Sequence, residues 1–298
     1  MLVHVLGTAA GGGVPQWNCA CPDCAGARVH ALRRRRHDAL ALQAAPGRYY
    51  LVGAGPDLAE QLASCPDLHP GPGPRETPIA GVILTDAELD HTLGLAVLRE
   101  AREVELLATR PVLDAVLNRL HLGDILFPYT RLTTRELGPA PQPLAPGSPV
   151  EISAIGVSGK RPRYAADARH AGNWVSALDA VDRTTGHRLL YAPALGLWPE
   201  WLDGAAAAAD CVLLDGTFWD DEEPVRAGFT DRTATAMGHL PITGPGGTAE
   251  RLSALDVPRR LYTHLNNTNP LTAPTATEHQ LLDAHGLEVA HDGMVLQL

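Results

Sequence analysis

The sequence predicts an α/β fold in which strands and helices stack as layers. Three observations carry this. Short apolar runs bounded by Gly, Pro and polar residues recur along the chain, the pattern of buried strands. The elements come as strands, then helices, then strands, then helices, which favours a layered sandwich over a regular βαβ array. Several runs also end on Asp or His. Residues 79–84 lead into Thr85-Asp86-Ala87-Glu88-Leu89-Asp90-His91, residues 211–214 into Asp215, and residues 260–262 into Thr263-His264.

In chain order, strands are expected over residues 2–6, 39–43, 49–52 and 79–84. The Pro- and Gly-rich stretch 66–78 reads as a loop, and residues 93–100 read as a helix. Helical and strand patterns alternate to about residue 120, and a second Pro-rich connection covers 138–147. Further strands are expected over 150–157, 174–180 and 187–191. An alanine-rich helix over 198–209 leads into a strand at 211–214. A helix over 247–255 precedes a strand at 260–262, a last helix lies near 275–285, and the chain closes on strands at 287–290 and 294–296. No internal repeat or clean linker appears, so residues 1–298 are expected to form one domain.

Composition narrows the function classes. The 298 residues are 45% hydrophobic, enough for a large core without staples. The net charge of −10 argues against a nucleic-acid partner, whose phosphates need clustered Lys and Arg. The run Arg33-Arg34-Arg35-Arg36 is the exception, read as a solvated face or an anion contact. No apolar run reaches the ~20 residues that span a bilayer, and the N-terminus lacks the features of a signal peptide. The expectation is a cytoplasmic protein with no membrane partner. Oligomeric state stays open, a homodimer included.

Chemistry concentrates in a few places. Cys19-Ala20-Cys21-Pro22-Asp23-Cys24 has short spacings that turn three thiolates toward one soft ion, which suits Zn²⁺ and calls for a fourth ligand from elsewhere. Cys65 and Cys211 lie apart and read as small buried hydrophobes. Gly7-Thr8-Ala9-Ala10-Gly11-Gly12-Gly13 lacks dinucleotide-loop spacing, so its glycines are expected to let backbone pass close to other groups. At the end of the 79–84 run, Asp90 and His91 can aim an oxygen and a ring nitrogen at one metal ion. Asp215 and His264 follow apolar runs likewise, and His239 sits in a Gly/Pro-rich stretch.

These segments together resemble a known family. GTAAGGGVPQWNCACPDC (7–24), TPIAGVILTDAELDHTLGL (77–95), YAPALG (191–196), LLDGTFW (213–219), MGHLPITGPGG (237–247), HLNNTNP (264–270) and DGM (292–294) are similar to the metallo-β-lactamase fold superfamily. Within it they resemble the B proteins of pyrroloquinoline quinone (PQQ) biosynthesis, and the likeness runs over nearly the whole chain. The resemblance implies an αββα four-layer sandwich. The superfamily motif H-x-H-x-D-H stands here with Asp86 and Glu88 in place of its leading histidines, and Glu88 stands where the family has Gln. That removes the usual first metal site. The resemblance implies that a second site persists through Asp90, His91, Asp215 and His264, with the third superfamily histidine falling near His170. It places His239 beside the substrate. By analogy with related phosphodiesterases, the loop after His264 supplies the fourth ligand of the cysteine site, at Asn267.

Two imidazoles and a carboxylate with open positions form the facial-triad pattern of non-haem Fe²⁺ oxygenases. The resemblance implies an iron-dependent, O₂-using hydroxylation of the tyrosine ring in the cross-linked Glu–Tyr precursor of PQQ. His239 would orient substrate or move protons. Asp86 and Glu88 would hydrogen-bond the imidazoles or metal-bound water, serve a harder second ion, or form a polar turn with a helix cap. Asn266, beside His264, is a substrate-side candidate, and Lys160, Arg161 and Arg163 are candidates to meet an anionic precursor. Trp17 and Trp219 are candidates to pack on an aromatic one. A zinc-dependent hydrolase and a non-catalytic carrier of PQQ or its precursor are the alternative readings.

Overall fold

The computed structural model describes residues 1–298, with strands β1 (Leu2–Gly7), β2 (Ala39–Ala45), β3 (Arg48–Val52), β4 (Ile79–Ile83), β5 (Glu103–Ala108), β6 (Arg131–Glu136), β7 (Gln142–Pro143), β8 (Val150–Ser158), β9 (Val175–Asp182), β10 (Arg188–Ala192), β11 (Cys211–Asp215), β12 (Arg259–Thr263), β13 (Glu288–Val289) and β14 (Val295–Gln297). They form two seven-stranded sheets, ordered β14-β1-β2-β3-β4-β5-β6 and β13-β12-β11-β10-β9-β8-β7. In each, an antiparallel part passes into a parallel part, at β3–β4 in the first sheet and at β10–β11 in the second.

Alternation along the strands dictates the layers. Leu40 and Leu42 of β2 and Tyr50 and Val52 of β3 point into the core between the sheets, where they meet Leu178, Leu189 and Leu213 of the second sheet. Their neighbours Ala39, Ala41, Tyr49 and Leu51 point the other way, under an outer helical layer with Leu58, Leu95 and Val112. Val212, Leu214 and Tyr262 do the same for the second sheet, under Leu202, Leu252 and Leu282. The result is helices, sheet, sheet and helices, the expected four-layer sandwich.

Most expected strands lie within a residue or two of the observed ones. The 3₁₀ helix over Leu93–Glu100 follows a short α-helix at Leu89–Thr92. Gly94 there lies against the Gly55 carbonyl, which a Cβ would approach to 2.0 Å, so only glycine fits. The alanine-rich helix is shorter than expected, at Trp201–Ala207. Strand β6 was not anticipated: it is a sheet edge with four of its six residues exposed, so it carries no apolar alternation to read. No helix is long and apolar enough to cross a membrane.

The parallel parts place the site. Loops leaving the carboxyl ends of parallel strands are where α/β folds gather their ligands, and β4, β11 and β12 end at the Asp86–His91 segment, Asp215 and His264. The β11–β12 register pairs Asp215 with Thr263, which sets Asp215 and His264 at one level.

Candidate metal centre

The turn after β4 is organised by Asp86. Its carboxylate accepts the Glu88 backbone N–H at 2.9 Å and faces His91 Nδ1 at 2.8 Å. That bond fixes the His91 ring so that Nε2 points inward. Nε2 is buried without a hydrogen-bond partner, and so is Nε2 of His264. Both face Asp90 Oδ2, at 3.8 Å and 3.4 Å. His264 is oriented from behind, its Nδ1 lying 2.8 Å from the Thr217 hydroxyl. Gly11 closes the other side, where a Cβ would stand 3.4 Å from Asp90 Oδ2.

Two orphaned ring nitrogens and a carboxylate oxygen, all within 4.8 Å of one another, fit a single cation. Burial opposes the charge on Asp90, but the facing imidazoles of His91 and His264 more than offset it and hold its carboxyl well below the usual range. Burial likewise opposes protonation of His91, yet the carboxylates of Asp86 and Asp90 push its pKa up to about 10. His264 is raised against its burial, by Asp90 in particular. In all three groups carboxylate charge favours positive charge on the facing imidazoles.

Asp215, expected either as a ligand or as an outer partner of the site, has both carboxylate oxygens engaged. It is fully buried. Oδ1 accepts Thr217 N–H at 2.9 Å and the Thr217 hydroxyl at 2.6 Å, while Oδ2 accepts Leu195 N–H and faces His239 Nδ1, both at 2.7 Å. Asp215, His239 and His264 also lie close enough to share an ion. The Asp90 group fits better, because its nitrogens lack partners while those facing Asp215 and Thr217 are already hydrogen-bonded. Asp215 therefore anchors His239 and, through Thr217, His264.

A cavity of about 240 Å³ opens over these groups. It brings together Asp86, Glu88, Asp90, His91, His239, His264 and Asn266, along with Lys160, Phe218 and Met237. Asn266 donates its amide to Thr268 Oγ1 at 2.6 Å. His170 is a correction: it lies on the surface with Nε2 3.4 Å from Asp114, outside the cavity. Its segment precedes β9 and turns outward where the ring of Trp174 packs inward and donates to the His170 carbonyl. Arg161 stacks on Trp174 at 5.8 Å, and neither it nor Arg163 lines the cavity. Trp17 is 87% exposed, and Trp219 packs on the outer core of the second sheet, so the aromatic wall is Phe218. Sequence reasoning missed Thr217 and the fully buried Asp38, which accepts from Tyr191 Oη at 2.7 Å and Thr263 Oγ1 at 2.6 Å beneath the site. Thr217 follows Asp215 by two residues, a spacing at which an Asp side chain bonds the local backbone; nothing in the sequence around Asp38 marks it.

The second candidate centre is the cysteine loop. The sulfurs of Cys19, Cys21 and Cys24 lie within 4.8 Å of one another. Backbone N–H groups are turned toward them, Gln16 N at 3.3 Å from Cys24 Sγ and Cys24 N at 3.4 Å from Cys21 Sγ. Burial pushes the Cys24 thiol up to about 12. For Cys21, burial is more than offset by the Cys24 N–H and the Asn267 amide, which favour its thiolate. The Asn267 amide faces the cluster, with Nδ2 3.3 Å from Cys19 Sγ, and the Asn267 carbonyl is 3.6 Å from Cys21 Sγ. An NH₂ group has no lone pair for a metal, so Asn267 offers a fourth donor through its carbonyl or through its amide oxygen after a half-turn. Cys65 and Cys211 are buried elsewhere.

A family model described as "Beta-lactamase superfamily domain" matches residues 48–265. A diphosphatase from the PhnP family superposes over the whole chain and 97% of its own with a TM-score of 0.69 at 17% identity, which shows the shared fold. The chain is thus a metallo-β-lactamase-fold protein. Relatives described as coenzyme PQQ synthesis protein B are 41% identical in Cupriavidus necator, covering 99% of both chains, and 40% identical in Azoarcus sp., covering 100% of both. The Zn²⁺-bound PqqB from Methylobacterium extorquens superposes over 100% of both chains with a TM-score of 0.90 at 35% identity. The chain belongs to the coenzyme PQQ synthesis protein B family.

Proposed function

We propose that the Asp90–His91–His264 site is a mononuclear iron centre that hydroxylates the tyrosine ring of the cross-linked Glu–Tyr precursor of PQQ. Zn²⁺ is held separately by Cys19, Cys21 and Cys24 with Asn267. The observation that carries the reading is the convergence of two buried, unpartnered Nε2 atoms on one carboxylate oxygen. A dinuclear hydrolase needs a second set of ligands; Asp86 is turned onto His91 Nδ1, and the Asp215 oxygens of the neighbouring Asp215–His239–His264 group are taken up by hydrogen bonds from Leu195, Thr217 and His239.

Bound Fe²⁺ would supply the redox centre at which O₂ is activated. The chain's own residues do the rest. Asp86 and Thr217 hold the two imidazoles in the tautomer that leaves Nε2 free to bind. Asp215 fixes His239 by Nδ1, which leaves the opposite ring edge to meet the phenol or carry a proton. Phe218 and Met237 provide an apolar wall for the ring. Overall, one oxygen atom of O₂ would be inserted into the ring C–H bond and the other would leave as water, with two electrons from an external reductant and two protons from solvent.

The test is single-turnover chemistry with iron-loaded protein, the diamino-acid precursor, O₂ and a reductant. The expected product has gained one oxygen atom on the ring. Fully iron-loaded protein that yields no such product, or zinc-loaded protein that hydrolyses a phosphodiester in an Asp90-dependent way, overturns the reading.

A further inference from the structure

Lys160 is the single lysine of the chain; every other one of its 24 basic residues is arginine. It stands at the rim of the candidate active-site cavity, on the loop after β8. Its side chain makes no ion pair and no hydrogen bond. Its stem crosses the backbone of Gly238, where a Cβ would stand 2.7 Å from Lys160 Cδ and 3.0 Å from Nζ, and Gly238 itself has φ of +89°. The crossing therefore requires glycine twice over, for space and for backbone. Neighbouring Arg161 turns away to Trp174, so the rim is left with one compact ammonium in place of a planar guanidinium fork.

Glu88 lines the same cavity. Its carboxylate also accepts no hydrogen bond and makes no ion pair; burial and the Asp86 charge raise its pKa, and the Lys160 charge acts against them. Asp86 and Asp90, by contrast, are taken up by the two imidazoles. The cavity thus presents one free cation and one free anion, not paired with each other, in one lining with Phe218 and the candidate metal ligands. A bound molecule that carries both charges of its own would complete both.

We propose that Lys160 and Glu88 form a receptor for the α-amino-acid head group of the substrate, Lys160 meeting its carboxylate and Glu88 its ammonium, so that its aromatic ring is directed past Phe218 toward His91 and His264. This rests on the cavity being the substrate site and is independent of the metal's identity or its redox step. The two residues are specificity-determining. A simple phenol without the head group is held poorly, and so is an amine or an acid that carries only half of it.

The single lysine makes the test direct. Protein labelled with ¹³C,¹⁵N-lysine has one side-chain spin system, that of Lys160. Zinc-loaded protein is titrated with L-tyrosine, with tyramine (ammonium only) and with 3-(4-hydroxyphenyl)propionate (carboxylate only). L-Tyrosine and the propionate are expected to shift the Lys160 signal saturably and tyramine to leave it nearly unmoved, with L-tyrosine bound about fivefold or more tighter than either half. Lys160→Met, which keeps the stem and removes the charge, is expected to make L-tyrosine bind no better than tyramine does. Glu88→Gln is expected to make it bind no better than the propionate. Absence of any L-tyrosine-dependent shift, or the same order of affinities in native protein and both variants, overturns the proposal. Because no turnover is read, a failed hydroxylation assay leaves this result standing, and a failed titration leaves the hydroxylase reading standing.

Discussion

Asp86→Ala isolates the central claim about the metal centre, that Asp86 acts through His91 and does not bind an ion. In the native chain the carboxylate faces His91 Nδ1 at 2.8 Å, and both side chains are almost completely buried. Removing it leaves a ring nitrogen in the interior with no acceptor. The imidazole then loses both its fixed orientation and the bias toward the Nδ1–H tautomer whose Nε2 lone pair is free. Loss of such an outer partner typically weakens metal binding about 10–100-fold, or about 1.4–2.8 kcal/mol. Asp86→Asn falls in the same range or lower, because its NH₂ can donate to Nδ1 and stabilise the tautomer that cannot bind. The assay is competitive titration of Co²⁺ against a chromophoric chelator, with zinc at the cysteine loop counted separately. Asp86→Ala is expected to lower affinity at the Asp90 site, to leave the number of ions unchanged and to keep the cysteine-site zinc. The double variant with His91→Ala is expected to bind no worse than His91→Ala alone, since the effect of Asp86 passes through that ring. Affinity within about twofold of native would refute the orienting role. Loss of one whole ion per chain would instead show Asp86 to be a ligand of a second metal.

Burial holds Glu223 at a pKa of about 7 against an ordinary 4.5. The folded state therefore keeps a proton that the unfolded chain gives up, and stability falls as pH rises from about 4.5 through about 7, by at most about 3 kcal/mol. Urea unfolding at pH 5 and pH 8 is expected to show that loss in native protein and little of it in Glu223→Gln; equal slopes would contradict it. Tyr191→Phe strips one donor from the fully buried Asp38 and is expected to cost about 1–3 kcal/mol in urea unfolding. An unchanged midpoint would show that Asp38 finds another partner. Cys21→Ser is expected to release the cysteine-site zinc and to lower the melting temperature, because a structural ion contributes folding free energy directly. Full zinc retention by elemental analysis would remove Cys21 from the ligand set.

The parts of the site that were legible in the sequence share one property: they lie where an apolar run stops. Asp90, His91, Asp215 and His264 each lie at or beyond the end of a continuous apolar run, the mark of a strand buried on both faces, so these polar residues fall at the strand ends. The cysteine loop was legible for a different reason, since its ligands are local and their spacing alone brings three sulfurs together. His170 failed because it follows no strand; its position came from the superfamily's spacing, and the chain there turns outward to Asp114. Asp38 was invisible because it closes the Arg-rich run, where an acidic residue reads as surface charge, and its burial depends on contacts with Tyr191 and Thr263 far along the chain. Strand β6 escaped for the converse reason, as an edge with too little buried face to leave a period. What a sequence period can show is burial on one side of an element, and contacts made across the two sheets leave no such trace.

The loop from His264 to Asn269 ties the two candidate centres into one unit. His264 has φ of +59°, a left-handed conformation that costs a non-glycine residue about 1–2 kcal/mol. Such strain persists only where the surroundings over-determine it, and here they do on both sides. Gly216 N–H donates to the Thr263 carbonyl at 2.8 Å, and Leu265 exchanges backbone bonds with Thr8 and Ala10 at 2.8 and 2.9 Å. Beyond them Asn266 enters the cavity, Asn267 faces Cys19 and Cys21, and Asn269 donates to the Gly216 carbonyl at 2.8 Å. Thr268 continues the tie by donating to the buried Glu223. The strained turn is what aims the His264 ring at Asp90 while the next three residues reach the cysteine loop. An ion at the cysteines would hold the far end of this segment. Its loss would free Asn267 first and let His264 relax toward an ordinary backbone, carrying Nε2 away from Asp90. The Cys21→Ser variant is therefore expected to weaken Co²⁺ binding at the Asp90 site as well, although none of its atoms lies there. Unchanged Co²⁺ affinity in a zinc-free Cys21→Ser protein would show that the Thr8, Ala10 and Gly216 bonds hold the turn unaided.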